Sequence, residues 1–136
     1  GYPFYSGSVV LESEFNVKKN LNTEIFLDLG KLESIVTKVS INEKEAGYLY
    51  WRPYRLRIDN LLKNGKNKIE IELTNSNRNL LGPHHTKEGE LLGVGPQSFA
   101  GQSGWGSPGG WTDNYNFVKF GLCSTLELYD YNRKNG

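Results

Sequence analysis

An antiparallel β-sandwich is the fold the sequence predicts, and three observations predict it. Apolar and polar residues alternate at period two along most of the chain, helical periodicity is nearly absent, and Gly- and Asn-rich turn signals punctuate the alternation. In Ser8–Val17, Val9, Leu11, Phe15 and Val17 share one face, with Glu12 and Glu14 on the other. Ile25, Leu27 and Leu29 alternate with Phe26 and Asp28. Ile35, Thr37, Val39 and Ile41 alternate with Val36, Lys38 and Ser40. Tyr54, Leu56 and Ile58 alternate with Arg55 and Arg57, and Ile69, Ile71 and Leu73 with Lys68, Glu70 and Glu72. Residues 117–122 and 125–129 read as two further strands. Strands of this pattern bury one face and wet the other. Turns are signalled at Leu29-Gly30-Lys31, at 42–47 and at 63–67. Asp59-Asn60-Leu61-Leu62 has room for one helical turn, which Asp59 can cap.

A chain of 136 residues is one domain of ordinary size, here 1–136, able to bury a core without staples. Sixteen basic residues against fifteen acidic leave a net charge of +1, which argues against a nucleic-acid partner, since phosphate neutralisation needs a basic excess. No apolar run is long enough for a membrane-spanning helix, and no signal peptide is visible. The lone cysteine, Cys123, excludes an intrachain disulfide and is expected to be a small buried residue. The absence of methionine, even at position 1, suggests a piece of a longer protein.

One segment, 76–114, breaks the alternation. It holds nine of the sixteen glycines, three of the five prolines, both histidines and two of the three tryptophans. Long structureless loops are uncommon in compact domains and are usually functional or disordered. Leu80, Leu81, Leu91, Leu92, Phe99, Trp105 and Trp111 disfavour disorder, so an ordered loop carrying aromatic rings is where function is expected.

Three motifs in sequence carry a family resemblance. They are "IFLDLGKLESIVTKVSIN" with its L-G turn and V-x-x-N close, "YLYWRPYRLRIDNLL" leading into a D-x-x-L-L turn, and "KNGKNKIEIELTNS" with its G-x-N turn and alternating strand. Over about fifty residues, Ile25 to Asn75, the chain resembles the sugar-binding jelly-roll domain of glycoside hydrolase family 2 and related multidomain glycosidases. The resemblance implies a galactose-binding-domain-like jelly roll, non-catalytic and adjoining a catalytic barrel. It also implies a bacterial, secreted or cell-surface setting, and it brings in a structural calcium, which many domains of this fold carry. Asp28, Glu12, Glu127 and Asp130 are the nominal calcium ligands. Gly65 supplies the positive φ the turn needs, and Asn67 can bond the neighbouring backbone. The "NLLGPHH" run lies outside the common pattern; it is similar to segments at the C-terminal end of some large bacterial glycosidase-like proteins.

Two aromatic constellations suit a sugar. Tyr48, Tyr50, Trp51, Arg52 and Tyr54 crowd seven positions: a ring can stack on sugar C–H groups and Arg52 can donate to hydroxyls, or the rings fill the sandwich. Trp105 and Trp111, set among glycines, can stand clear of their backbone for stacking, or pin the loop. His84, His85 and Asp113 complete the candidate carbohydrate-binding set with Trp105, Trp111, Trp51, Arg52 and Tyr50. His84-His85 with Glu88 and Glu90 carries metal-ligand residue types, but adjacent side chains rarely share one ion. Catalysis needs a positioned carboxylate pair or an activated nucleophile. Glu88, Glu90 and Asp113 have no fixed separation in a loop, a Ser98–His85–Asp113 triad has no G-x-S-x-G elbow, and Gly93-Val94-Gly95 has no following helix for a phosphate loop. The expected function is a non-catalytic carbohydrate-binding accessory module of a larger carbohydrate-active enzyme, with glycan and neighbouring domains as partners. The alternative is a structural domain that packs on a catalytic neighbour through the long loop.

Overall fold

The computed structural model describes residues 2–19, 23–87, 89–91, 93–99 and 110–132. The chain divides into two compact units, one of Ser8–Asn75 with Phe120–Gly136 and one of Gly1–Gly7 with Ser76–Lys119.

The first unit is an all-β sandwich of antiparallel sheets. Strands β1 (Ser8–Val17), β4 (Val36–Ile41), β5 (Lys44–Leu49) and β7 (Gly65–Thr74) form one sheet in the order β1-β7-β4-β5. Strands β2 (Thr23–Asp28), β6 (Arg55–Arg57) and β9 (Glu127–Asn132) form a second, in the order β6-β2-β9. β3 (Leu32–Glu33) and β8 (Gly121–Leu122) make a short third pair. Alternation decides the inner faces. Ile25 and Leu27 of β2 pack in one cluster with Thr37's neighbours Val39 and Ile41 of β4, Leu49 of β5, and Ile69, Ile71 and Leu73 of β7. Each such side chain, fully buried, contributes about 1.5–3 kcal/mol.

The turns are held by two buried or half-buried amides from the family-like motifs. Asn42 and Glu43, both at positive φ (52° and 67°), make the tight β4–β5 hairpin, whose backbone twist suits paired strands. Asn42 Nδ2 donates to Asn67 Oδ1 (2.8 Å) and to the Leu61 carbonyl (2.9 Å). Asn67, 1% exposed, accepts from the Lys63 N–H (3.0 Å) and donates to the carbonyls of Lys63 (2.8 Å) and Gly65 (2.9 Å). Gly65 takes φ +85°, as its turn requires.

Several expectations are corrected. Ile35 is 61% exposed, because β4 starts only at Val36 and Ile35 sits in the bend before it. Leu11, in the middle of edge strand β1, is 38% exposed. Residues 59–61 form a turn where a helical turn over Asp59–Leu62 is expected, and the Asp59 carboxylate takes the Arg57 guanidinium (2.6 Å) instead of capping. In 117–122 only Gly121–Leu122 pairs, and the last strand runs Glu127–Asn132. Cys123 is exposed: it follows β8 directly, and its thiol turns to the Gly121 carbonyl instead of the core.

The second unit carries two single-turn helices, α1 (Arg78–Leu81) and α2 (Pro96–Phe99), where the sequence suggests neither helix nor strand. Among the described residues no helix is long and apolar enough to cross a membrane.

Candidate functional site

In the second unit the segments 84–87 and 110–116 lie antiparallel. Thr86 pairs with Trp111, the Thr112 N–H donates to the His85 carbonyl (3.2 Å), and the Asn116 N–H donates to the His84 carbonyl (2.8 Å). Asn79, buried in the "NLLGPHH" run, closes the end of this ribbon. Its amide donates to the Val118 carbonyl (2.9 Å) and accepts from the Val118 N–H (3.0 Å), as a strand neighbour would.

This pairing assembles an aromatic face. The His85 imidazole stacks on the Trp111 indole, with centroids 4.3 Å apart and planes 19° from parallel. His85 also meets Tyr115 at 4.6 Å, and its Nδ1 bonds the Thr112 carbonyl (2.9 Å), which fixes the ring. The Trp111 indole N–H donates to Asp113 Oδ1 (3.2 Å). Behind them His84, Phe4 and Phe117 pack edge to face or tilted at 5.0–5.6 Å. Burial pushes the His84 pKa down; a bond to the Asn116 backbone opposes this, and the charges of Arg78 and His85 add to the lowering. Trp111 is 48% exposed and Tyr115 56%. Beside Tyr115 opens a polar depression of about 430 Å³ lined by Thr86, Lys87, Gly89, Thr112, Asn114 and Asn116.

The predicted residues therefore separate into two groups. Trp111, His85, Asp113 and His84 come together in this unit. Tyr50, Trp51 and Arg52 belong to the sandwich unit, where Leu49 points into the core and the tyrosines on either side point out. Tyr48 stacks on Tyr50 at 6.3 Å, and Tyr50 meets Trp51 at 5.7 Å, so Tyr48, Tyr50 and Trp51 form an outer ladder instead of filling the sandwich. Tyr54 alone of that cluster packs against the core. Trp105 and Glu88 lie outside the described residues.

Tyr115, Phe117 and Phe4 are the residues the sequence reading missed. In "WTDNYNF" aromatic and acidic residues alternate with Thr and Asn, and that period-two signal points to Tyr115 and Phe117. Phe4 carries no comparable local signal.

The carboxylates have structural partners. Glu90 accepts from Arg78 Nε (3.0 Å), and Asp113 holds the indole. Asp28 accepts from Arg55 Nε (2.5 Å) and from the Gly30 N–H (2.7 Å), and these bonds hold its carboxyl below the usual carboxylate range against its partial burial. Glu12 pairs with Lys68 (3.2 Å), and Glu127 accepts from the Tyr129 hydroxyl. Among the described residues no three His, Cys, Asp or Glu side chains converge as a metal site would require.

No protein-family model matches the chain. Among curated proteins, a putative beta-glucuronidase of Formosa agariphila is 36% identical over 78 residues, covering 55% of this chain. The chain spans 7% of the length of that relative. Among solved structures, a rhamnosidase from Novosphingobium sp. PP1Y superposes with a TM-score of 0.67 at 24% identity, over 94% of this chain and 11% of that one. A Bifidobacterium dentium beta-glucuronidase gives 0.61 at 18% identity, over 96% of this chain and 22% of that one. A beta-D-mannosidase from Dictyoglomus thermophilum gives 0.60 at 19% identity, over 92% and 16%. The chain thus has a β-sandwich fold that recurs as a small part of several glycosidases.

Proposed function

We propose that the chain is a non-catalytic carbohydrate-binding accessory module of a larger glycosidase, working outside the cell or at its surface, with a glycan and the neighbouring domains of its parent as partners. The observation that carries this reading is the His85–Trp111 stack. An indole held on one side by a fixed imidazole, with nearly half its surface in solvent, is a rigid platform for the C–H face of a sugar. Tyr115 extends the platform, and the hydroxyls and amides of Thr86, Thr112, Asn114 and Asn116 line the adjoining depression, where sugar hydroxyls would find donors and acceptors. The glycosidase neighbours and the small share of each that this chain covers support the place in a larger enzyme. A galactose-binding-like jelly roll is the subtype this reading assigns to the sandwich. The experiment is a glycan-array screen of the chain: at least one glycan class is retained under the proposal, and no retention across the array refutes it.

A second reading, a domain that packs on a catalytic neighbour, is favoured by one observation. Leu80 (48% exposed), Leu81 (65%), Val94 (56%) and Phe99 (51%) stand in solvent on or beside the single-turn helices. Side chains of this kind are the material of an interface core. A failed array screen would leave this reading standing.

A further inference from the structure

The sandwich unit has its own depression, of about 610 Å³, lined by Asp28, Gly30, Lys31, Arg52, Pro53 and Tyr54. We propose that it binds the acidic group of a charged saccharide, a ring carboxylate or a sulfate ester, on Arg52 and Lys31.

The walls are built rather than incidental. The turn after β2 and the run before β6 are tied by the Leu29 N–H donating to the Tyr54 carbonyl (2.9 Å). Ser124 Oγ accepts from the Lys31 N–H (2.7 Å) and donates to the Leu29 carbonyl (3.1 Å), so the turn is pinned from behind. Gly30 is at φ +61°, and a Cβ there would sit 2.3 Å from Ser124 Oγ. The site is therefore held in place before any ligand arrives, which lowers the cost of binding.

The charge balance points to an anion. Asp28, the one acidic residue of the lining, is already neutralised by Arg55 at 2.5 Å. Among the described residues the Lys31 ammonium has a 3.6 Å contact with Glu33, and a loose surface pair of that kind is worth little. Among the described residues the Arg52 side chain makes no hydrogen bond or ion pair. A planar guanidinium with its donors uncommitted suits the two-oxygen edge of a carboxylate or sulfate. The aromatic surroundings point to a sugar as the carrier of that anion. Tyr54 lines the depression, and Trp51, 76% exposed, precedes Arg52 directly. With a net charge of +1 on the whole chain, this is a local cationic spot rather than a nucleic-acid track.

The test uses matched probes and amide and arginine Nε–H NMR signals of the full chain. The probes are methyl glucuronide against methyl glucoside, methyl galacturonide against methyl galactoside, and galactose 6-sulfate against galactose, with sodium sulfate alone as the ion control. At least one acidic probe should shift the Lys31, Arg52 and Tyr54 signals and bind about tenfold tighter than its neutral partner and than sulfate. Arg52→Gln, and separately Lys31→Gln, should remove that preference with signal dispersion intact. Equal binding of acidic and neutral probes, shifts confined to other residues, or sulfate binding as tightly as the acidic sugars would overturn the proposal. The lining of this depression shares no residue with the His85–Trp111 stack, so a failed array and a failed acidic preference are separate results.

Discussion

Replacing Asn67 by alanine should be among the most damaging changes in the sandwich unit. The side chain is 1% exposed and makes four hydrogen bonds, two through Oδ1 and two through Nδ2, its full complement. Alanine removes all four and leaves the Asn42 amide and the carbonyls of Lys63 and Gly65 without that partner. At about 0.5–1.5 kcal/mol net per bond, partly offset where water reaches the exposed turn, the loss comes to about 3 kcal/mol. For a chain of this size that corresponds to a fall in Tm of about 10 °C. The assay is urea denaturation followed by far-UV circular dichroism, with thermal melting as a second probe. Asn42→Gly, which keeps the positive-φ residue of the hairpin, should cost less. The double variant should lose less than the two single losses added, because the variants share the 2.8 Å Asn42–Asn67 bond. A loss below about 1 kcal/mol for Asn67→Ala, or strict additivity in the cycle, would refute the claim that this amide pair ties the hairpin to the β7 turn.

Two further predictions concern the same unit. Asp28 has a carboxyl held below the usual range by Arg55, so the folded state binds its proton less readily than the unfolded state; the stability it contributes is present above about pH 4 and is lost as pH falls through its depressed folded value. Acid titration of stability should therefore be flatter for Asp28→Asn than for wild type below pH 4, and identical slopes would contradict the pairing. Gly30→Ala places a Cβ 2.3 Å from Ser124 Oγ at φ +61° and should destabilise by about 1–3 kcal/mol, with part of the loss recovered in Gly30→Ala/Ser124→Gly, as measured by denaturation midpoints.

How much of this was legible depends on whether a polar reference stood beside each apolar residue. Ile69, Ile71 and Leu73 alternate with Lys68, Glu70 and Glu72, so the inner face of β7 could be read directly. Around Tyr48-Leu49-Tyr50-Trp51 no polar residue marks the outer face, and the sequence left open whether the rings point in or out. The strand β4 was visible but not its start, since only the bend before Val36 takes Ile35 out of the core. Asn42 and Asn67 stood out as turn residues, whereas the bond between them is a consequence of strand pairing across 25 positions. In the second unit the stack of His85 on Trp111 depends on pairing between distant segments, which local pattern does not encode. The histidines and Trp111 were legible as candidates; Tyr115 stood on the same period-two face of "WTDNYNF", whereas Phe4 carried no local signal.

The most direct test of the His85–Trp111 platform is a calorimetric or NMR titration of wild type and Trp111→Ala with the glycan best retained in the array screen. Wild type should bind at a single site with Kd of about 10 μM to 1 mM. Trp111→Ala should lose about tenfold in affinity, on the order of 1.4 kcal/mol for one stacked ring, with the fold unchanged. Equal affinity of the two proteins would contradict it, because the His85–Trp111 platform would then not be where the sugar rests.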